Sequence, residues 1–238
     1  MGYRSDVRIV TSKKGFKELT KFELFLWLCS VIMVTASFLL LPQKDYLTLC
    51  ASLIGVTALI FVAKGYVLGQ ALCVVFAVFY GIISFHFRYY GEVITYLCMT
   101  APMAIMAVIS WVRHPYKGTK VVEVNRMTKK QVVVMLVLAI VVTAVFYFIL
   151  SLLNTANIVF STVSITTSFL AVYMTYMRSP YYAIGYACND IVLIVLWILA
   201  SIEKPSNAPM IVCFIMFLAN DIYGFVNWQR LKRKQHNV

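Results

Sequence analysis

RSPYYAIGYACNDIVLIVLW (residues 178–197) and FLANDIYGFVNW (217–228) are two apolar helical runs, each interrupted by an Asn-Asp pair. An ionisable side chain midway along a membrane helix is costly to bury and marks a functional site by default. Asp190 and Asp221 are the two acidic residues deep in such runs, and each follows an asparagine, Asn189 or Asn220. At the helical rise per residue, Asn189 and Asp190 lie roughly 12–18 Å beyond Arg178, and Asn220 lies roughly 12 Å before Trp228. The two helices run in opposite directions, so amides and carboxylates are expected at one depth. Those groups outline a small-molecule site.

The whole chain supports a bilayer setting. It has 238 residues, 62% of them hydrophobic and 13% charged, with a mean hydropathy of +0.84. That is a polytopic membrane protein rather than a soluble domain. The net charge of +12 is dispersed through short segments between apolar runs, which fits membrane topology and argues against nucleic acid as a partner. Six cysteines (Cys29, Cys50, Cys73, Cys98, Cys188 and Cys213) fall inside apolar runs without metal-type spacing. They read as packing residues, so no disulfide framework is expected. The first twenty residues are polar and lack a small-residue cleavage site, and no removed signal peptide is expected.

Eight stretches are long enough to span: about 22–41, 47–63, 68–87, 92–112, 131–153, 158–177, 181–202 and 208–228. With eight spans, 18 of the 21 Lys and Arg residues fall on one side, leaving Lys44, Arg88 and Lys204 opposite. The positive-inside rule makes the basic side the cytosol, with both termini there. The spans also repeat. Residues 47–113 and 158–230 each form three spans with a basic hairpin turn (Lys64, Arg178) and a closing tryptophan (Trp111, Trp228). One apolar span, 131–153, lies between them, which makes the triplets parallel. The expected fold is therefore all-α with eight transmembrane helices arranged 1 + 3 + 1 + 3. Its parts are a segment and extra span (1–44), a first bundle (45–114), a connection and linker helix (115–156), a second bundle (157–230) and a basic tail (231–238). The two tryptophans could equally be interfacial anchors.

YGIISFHFRYYGEVITYLCMTAPMAIMAVISW (80–111), together with the two Asn-Asp stretches, resembles the PnuC family of bacterial transporters of nicotinamide riboside and related vitamins. The resemblance covers roughly residues 45–230. It implies a core distantly related to the SWEET sugar transporters, a homotrimer in the cytoplasmic membrane, and facilitated diffusion made one-way by a cytosolic kinase. Many members carry Asn-Trp-x-x-Trp shortly before the aspartate, whereas Tyr182-Ala183-x-x-Tyr186 stands here. Relatives carry thiamine, riboflavin or deoxynucleosides, so these remain alternatives to nicotinamide riboside.

Helical geometry places Tyr182, Tyr186, Asn189, Asp190, Leu193 and Trp197 within an arc of about 100° on the seventh span. Asn220, Asp221, Gly224, Asn227 and Trp228 share a comparable face on the eighth. Amides and carboxylates bond ribose hydroxyls, while aromatic rings stack on a flat heterocycle and attract a cationic one. A competing reading has the Asn-Asp pairs bonding helix to helix. Weaker candidates are Gln70, Tyr80, Ser84, Tyr96 and Thr100 in the first triplet, with Pro102 able to bend the fourth span. On the sixth span Ser161, Ser164, Ser168 and Thr175 line one side, chiefly as small packing residues.

Enzymatic readings lack residues. The chain has no G-x-x-x-x-G-K-[ST], H-E-x-x-H or G-x-S-x-G, and His86, His114 and His236 have no ligand at metal spacing. An aspartyl protease built on Asp190 and Asp221 lacks the Tyr-Asp or Gly-x-Gly-Asp setting of such enzymes. No cofactor is expected. Proton or sodium coupling through the aspartates is the remaining alternative to facilitated diffusion.

Overall fold

The computed structural model describes residues 18–40, 46–86, 93–155 and 157–236. Expectations for Lys44, Arg88 and the basic residues up to Lys17 fall outside that range, as do the side chains of Ser84 and His86. The described chain is helical, with no strands. Its long helices are α1 (Lys21–Leu39), α2 (Tyr46–Ala63), α3 (Val67–His86), α4 (Thr95–Arg113), α5 (Lys129–Leu152), α6 (Ile158–Tyr176), α7 (Tyr182–Glu203) and α8 (Ala208–His236). Seven regions built on these helices are long and apolar enough to cross a membrane, and α3 is apolar over Val67–Ile82. The expected spans match to within a few residues, except that α8 runs on to His236. Gln235 explains that extension: its amide accepts from the Val124 N–H at 2.7 Å and donates to the Val122 carbonyl at 3.1 Å.

Six helices close a ring. Each packs on the next in the order α2, α3, α4, α6, α7, α8, and α8 returns to α2. α1 packs outside against α2 and α8, and α5 packs outside against α6. Both outer helices start on capping boxes, Thr20 with Glu23 and Thr128 with Gln131, which satisfy N–H groups a first helical turn leaves open.

The basic turns share one geometry. α2 ends with Gly65 at φ 72° and α6 ends with Arg178 at φ 56°. In both turns the left-handed residue donates to a carbonyl three back and the next residue to one five back. This closing motif satisfies helix carbonyls that would otherwise stay orphaned. The α4–α5 connection then joins the two turns, since Val122 N–H donates to the Gly65 carbonyl and Asn125 N–H to that of Arg178. Sequence spacing set Lys64 against Arg178; the backbone pairs Gly65 with Arg178 instead.

Close packing behind the first turn depends on Gly69. A Cβ there would stand 2.3 Å from the Val62 backbone nitrogen, and backbone cannot step aside as a flexible side chain can. Gly69→Ala is expected to cost about 1–3 kcal/mol through overpacking. A melting temperature unchanged in detergent would show that α2 and α3 separate more easily than this contact implies.

Candidate functional site

A cavity of about 590 Å³ occupies the middle of the ring. Exposed residues of the end opposite the basic turns form its rim, among them Asn154, Asn157, Glu203 and Lys204. From there it follows α7 inward past Trp197, Leu193, Asp190 and Asn189 to Tyr186. Val62, Gln70 and Asp221 also line it. Val62 and Gln70, on the side of the basic turns, are buried.

Its walls differ in chemistry. α6 and α7 supply hydroxyls and the Asn-Asp pair. Asn189 Oδ1 accepts from Thr167 Oγ1 at 2.9 Å and Ser164 Oγ at 3.3 Å. With the oxygen held on the α6 side, the amide N–H groups have no protein partner among the described residues. Asp190 is buried beside Asp221 of α8, and its Oδ2 has no hydrogen-bond partner among the described residues. A buried polar atom without a partner is costly and calls for a ligand or water.

The facing wall is aromatic. Phe76, Tyr80 and Tyr96 cluster with ring centroids 4.5–6.2 Å apart, and Phe76 also meets Phe217 at 6.0 Å. α4 reaches the cavity with Thr95, Tyr96, Thr100 and Ala104. Thr95–Thr100 is a wide π-helical turn in which the Ala101 N–H reaches back to the Tyr96 carbonyl. Pro102, one residue further on, has no N–H to continue the normal ladder, so the bend expected there takes the form of a local bulge.

The structure divides the candidate residues. Asn189, Asp190, Asp221, Tyr186, Trp197, Tyr80, Tyr96 and Gln70 line the cavity, as do Leu193, Ser161, Ser164, Ser168 and Thr100. Tyr182, Asn220, Gly224, Asn227 and Trp228 do not. Asn220 turns away from the cavity and donates to Ser30 Oγ of α1 at 2.9 Å and to the Met216 carbonyl at 2.7 Å. Adjacent helix positions lie 100° apart, so Asn220 and Asp221 cannot face the same neighbour. Thr175 is likewise outside the cavity, and its carbonyl accepts from a tryptophan.

The other residues off the cavity wall form a plug beneath its floor. Trp228 Nε1 donates to the Val62 carbonyl at 2.9 Å, and Asn227 Nδ2 to that of Ala63 at 2.8 Å. On the other side of the ring Trp111 Nε1 donates to the Thr175 carbonyl at 2.9 Å, and Ser110 Oγ to that of Tyr176 at 2.8 Å. The two clamps are counterparts, bond for bond. Their indoles meet with centroids 5.3 Å apart, and Tyr182 stands 4.8 Å from Trp228. Gly224 leaves room for it: a Cβ there would approach Tyr182 Oη to 3.0 Å. Both tryptophans are fully buried, which excludes the interfacial-anchor reading.

Beside the second turn, Arg178 Nε and Nη1 are buried without a partner among the described residues, and burial lowers the pKa of the group. Sequence reasoning missed the aromatic wall members Phe76, Phe214 and Phe217, and the rim residues Asn154, Asn157 and Asn207. Rings in an apolar run carry no sign of which face they take. No group of three His, Cys, Asp or Glu side chains positioned for a metal occurs among the described residues, and all six cysteines are free.

The comparisons with known proteins agree with this architecture. The family model described as nicotinamide mononucleotide transporter matches residues 45–230. A nicotinamide riboside transporter PnuC from Neisseria mucosa is 24% identical over 220 residues, covering 90% of this chain and 83% of that protein. A crystal structure of the vitamin B3 transporter PnuC superposes with a TM-score of 0.80 at 22% identity. It covers 94% of this chain and 100% of the solved one, and so shares its fold. These relatives are transporters rather than enzymes. With most of its length matched, the chain belongs to the nicotinamide mononucleotide transporter family.

Proposed function

We propose that this protein takes up nicotinamide riboside by facilitated diffusion across a bacterial cytoplasmic membrane, and that a cytosolic kinase then traps the substrate. The observation that carries the reading is the two-walled cavity. Asn189, Asp190 and Asp221 suit ribose hydroxyls and a cationic ring, while Phe76, Tyr80 and Tyr96 offer aromatic faces opposite. The substrate named for the Neisseria relative supports the choice. Cavities of this size commonly take small molecules.

In this reading residues 45–114 and 157–230 are two parallel bundles, with 115–156 as connection and linker helix. The matching turns at Gly65 and Arg178 and the matching tryptophan clamps support that division. Residues 1–44 include the outer α1, and 231–238 form the basic tail, into which α8 runs as far as His236. With the basic end in the cytosol, the chamber faces outward and the paired clamps are the inner gate. A homotrimer is proposed from the family resemblance, and the exposed apolar length of α5 offers surface for it.

A second reading has one observation in its favour. Two neighbouring buried carboxyl groups, one with an unpartnered oxygen, are also what a proton- or sodium-coupled carrier would need. Proteoliposome uptake with and without an imposed gradient separates the two.

The substrate is tested by melting the purified protein with nicotinamide riboside, thiamine, riboflavin and a deoxynucleoside. A ligand that binds only the folded form at a hundred times its Kd stabilises by about 2.7 kcal/mol. Nicotinamide riboside is expected to give the largest rise. A shift with thiamine and none with nicotinamide riboside would transfer the assignment to another vitamin. A reporter fused after Val238 should be active only in the cytosol; activity outside would invert the gate assignment.

A further inference from the structure

A second cavity, of about 710 Å³, lies outside the ring at the basic end, between the start of α1 and the last turns of α8. Its wall changes character along α8. Ala219, Ile222 and Val226 come first, then Asn227, then Arg230 and Lys234. Phe22 and Leu26 of α1 continue the apolar part, and Phe22 and Ile222 are 58% and 56% exposed on the membrane-facing surface.

The charges are unevenly matched. Lys64 is paired with Glu23 at 2.8 Å, and Glu23 also accepts from Tyr223 Oη at 2.7 Å. Tyr66 donates to Glu18 at 3.1 Å, and Lys120 is spent on the same carboxylate at 2.6 Å. Arg230 and Lys234 are both exposed, lie one turn apart on the same face of α8, and face no acidic side chain of the cavity wall other than the occupied Glu23. Like charges at that spacing repel, so an anion between them is favoured. The cavity is therefore apolar at membrane depth and cationic at the helix end.

We propose that this cavity binds one anionic phospholipid of the leaflet on the basic side, with its phosphate at Arg230 and Lys234 and an acyl chain along Phe22, Ile222 and Val226. Basic recesses between membrane helices on the cytoplasmic side suit such headgroups. The chain's own first seventeen residues are a poor occupant, because they carry Arg4, Arg8, Lys13, Lys14 and Lys17 against one acid, Asp6. The lipid would reach the gate through Asn227, which lines this cavity and also donates to the Ala63 carbonyl in the clamp. Of the functional reading the proposal uses only the membrane location, so a wrong substrate assignment leaves it standing.

The test is the melting temperature of the full chain in neutral detergent, titrated with phosphatidylglycerol, phosphatidylcholine or glycerol phosphate. Phosphatidylglycerol is expected to raise it well above the phosphatidylcholine value, while glycerol phosphate leaves it unchanged. In the R230Q/K234Q variant the concentration giving half the effect should rise roughly thirtyfold at low salt. Both side chains are exposed, so the variant should keep its melting temperature in phosphatidylcholine. The control pair K129Q/K130Q, also exposed and basic, should respond as the parent does. An equal response from R230Q/K234Q and the parent would overturn the site, as would an equal loss in the control pair. Glycerol phosphate matching the lipid would mean a free-phosphate site and overturn the lipid assignment.

Discussion

Trp228→Ala is expected to lower stability by about 3–5 kcal/mol, the usual cost of deleting a fully buried large aromatic. The indole is wholly inaccessible and packs on both Trp111 and Tyr182. Its loss also strips the Val62 carbonyl of its Nε1–H donor. Trp111→Ala should cost a similar amount, because Trp111 makes the counterpart bond to Thr175 from the other half of the ring. Trp228→Phe separates the two contributions: it keeps most of the packing but removes the donor, and should cost only about 1–3 kcal/mol. The measurement is thermal melting in one detergent, followed by substrate retention in proteoliposomes. If the clamps form the inner gate, Trp228→Phe should lose preloaded substrate faster than the parent while remaining folded. Near-parental melting in both alanine variants would mean that the indole pair is not the closure it resembles.

That plug was poorly legible in the sequence for a definite reason. A tryptophan at a span end looks the same whether it faces headgroups or a neighbouring helix. Only the matched bonds from Trp111 and Trp228 to the far triplet distinguish them. The spans themselves were legible, because twenty apolar residues between charged turns leave the backbone few alternatives to a membrane helix. Helical projection was a weaker guide to the site. It preserves angle and discards height, so Tyr182 and Asn189 fell on one arc although Tyr182 lies below the cavity floor. It also counted neighbours 100° apart as one face, although that angle sends Asp221 to the cavity and Asn220 to α1. The role of α1 left little trace in the sequence. Its attachments are single polar side chains such as Glu23, Trp27 and Ser30, and their partners Lys64, Thr57 and Asn220 are distant in the chain.

The two asparagines now predict opposite results. Asn189→Ala should reduce affinity for nicotinamide riboside roughly five- to a hundredfold, as expected for about 1–3 kcal/mol lost when a polar group of the bound ligand loses its partner. Folding should suffer less, because Thr167 and Ser164 line or border an open chamber, where water can replace the lost acceptor. Asn220→Ala should instead leave affinity within about twofold and lower melting modestly, since hydrogen bonds between membrane helices average about 0.6 kcal/mol. The effect stays small because α1 keeps two other attachments, Trp27 Nε1 to Thr57 Oγ1 and Glu23 to Lys64. The asparagines share no bonding partner, so the double variant should combine the affinity of one with the stability of the other. Calorimetric titration beside thermal melting reads both axes on the same preparations. An affinity loss in Asn220→Ala as large as that in Asn189→Ala would mean that substrate reaches past Asp221 toward α1. The cavity floor would then have to open during binding, and the outer helix would belong to the site.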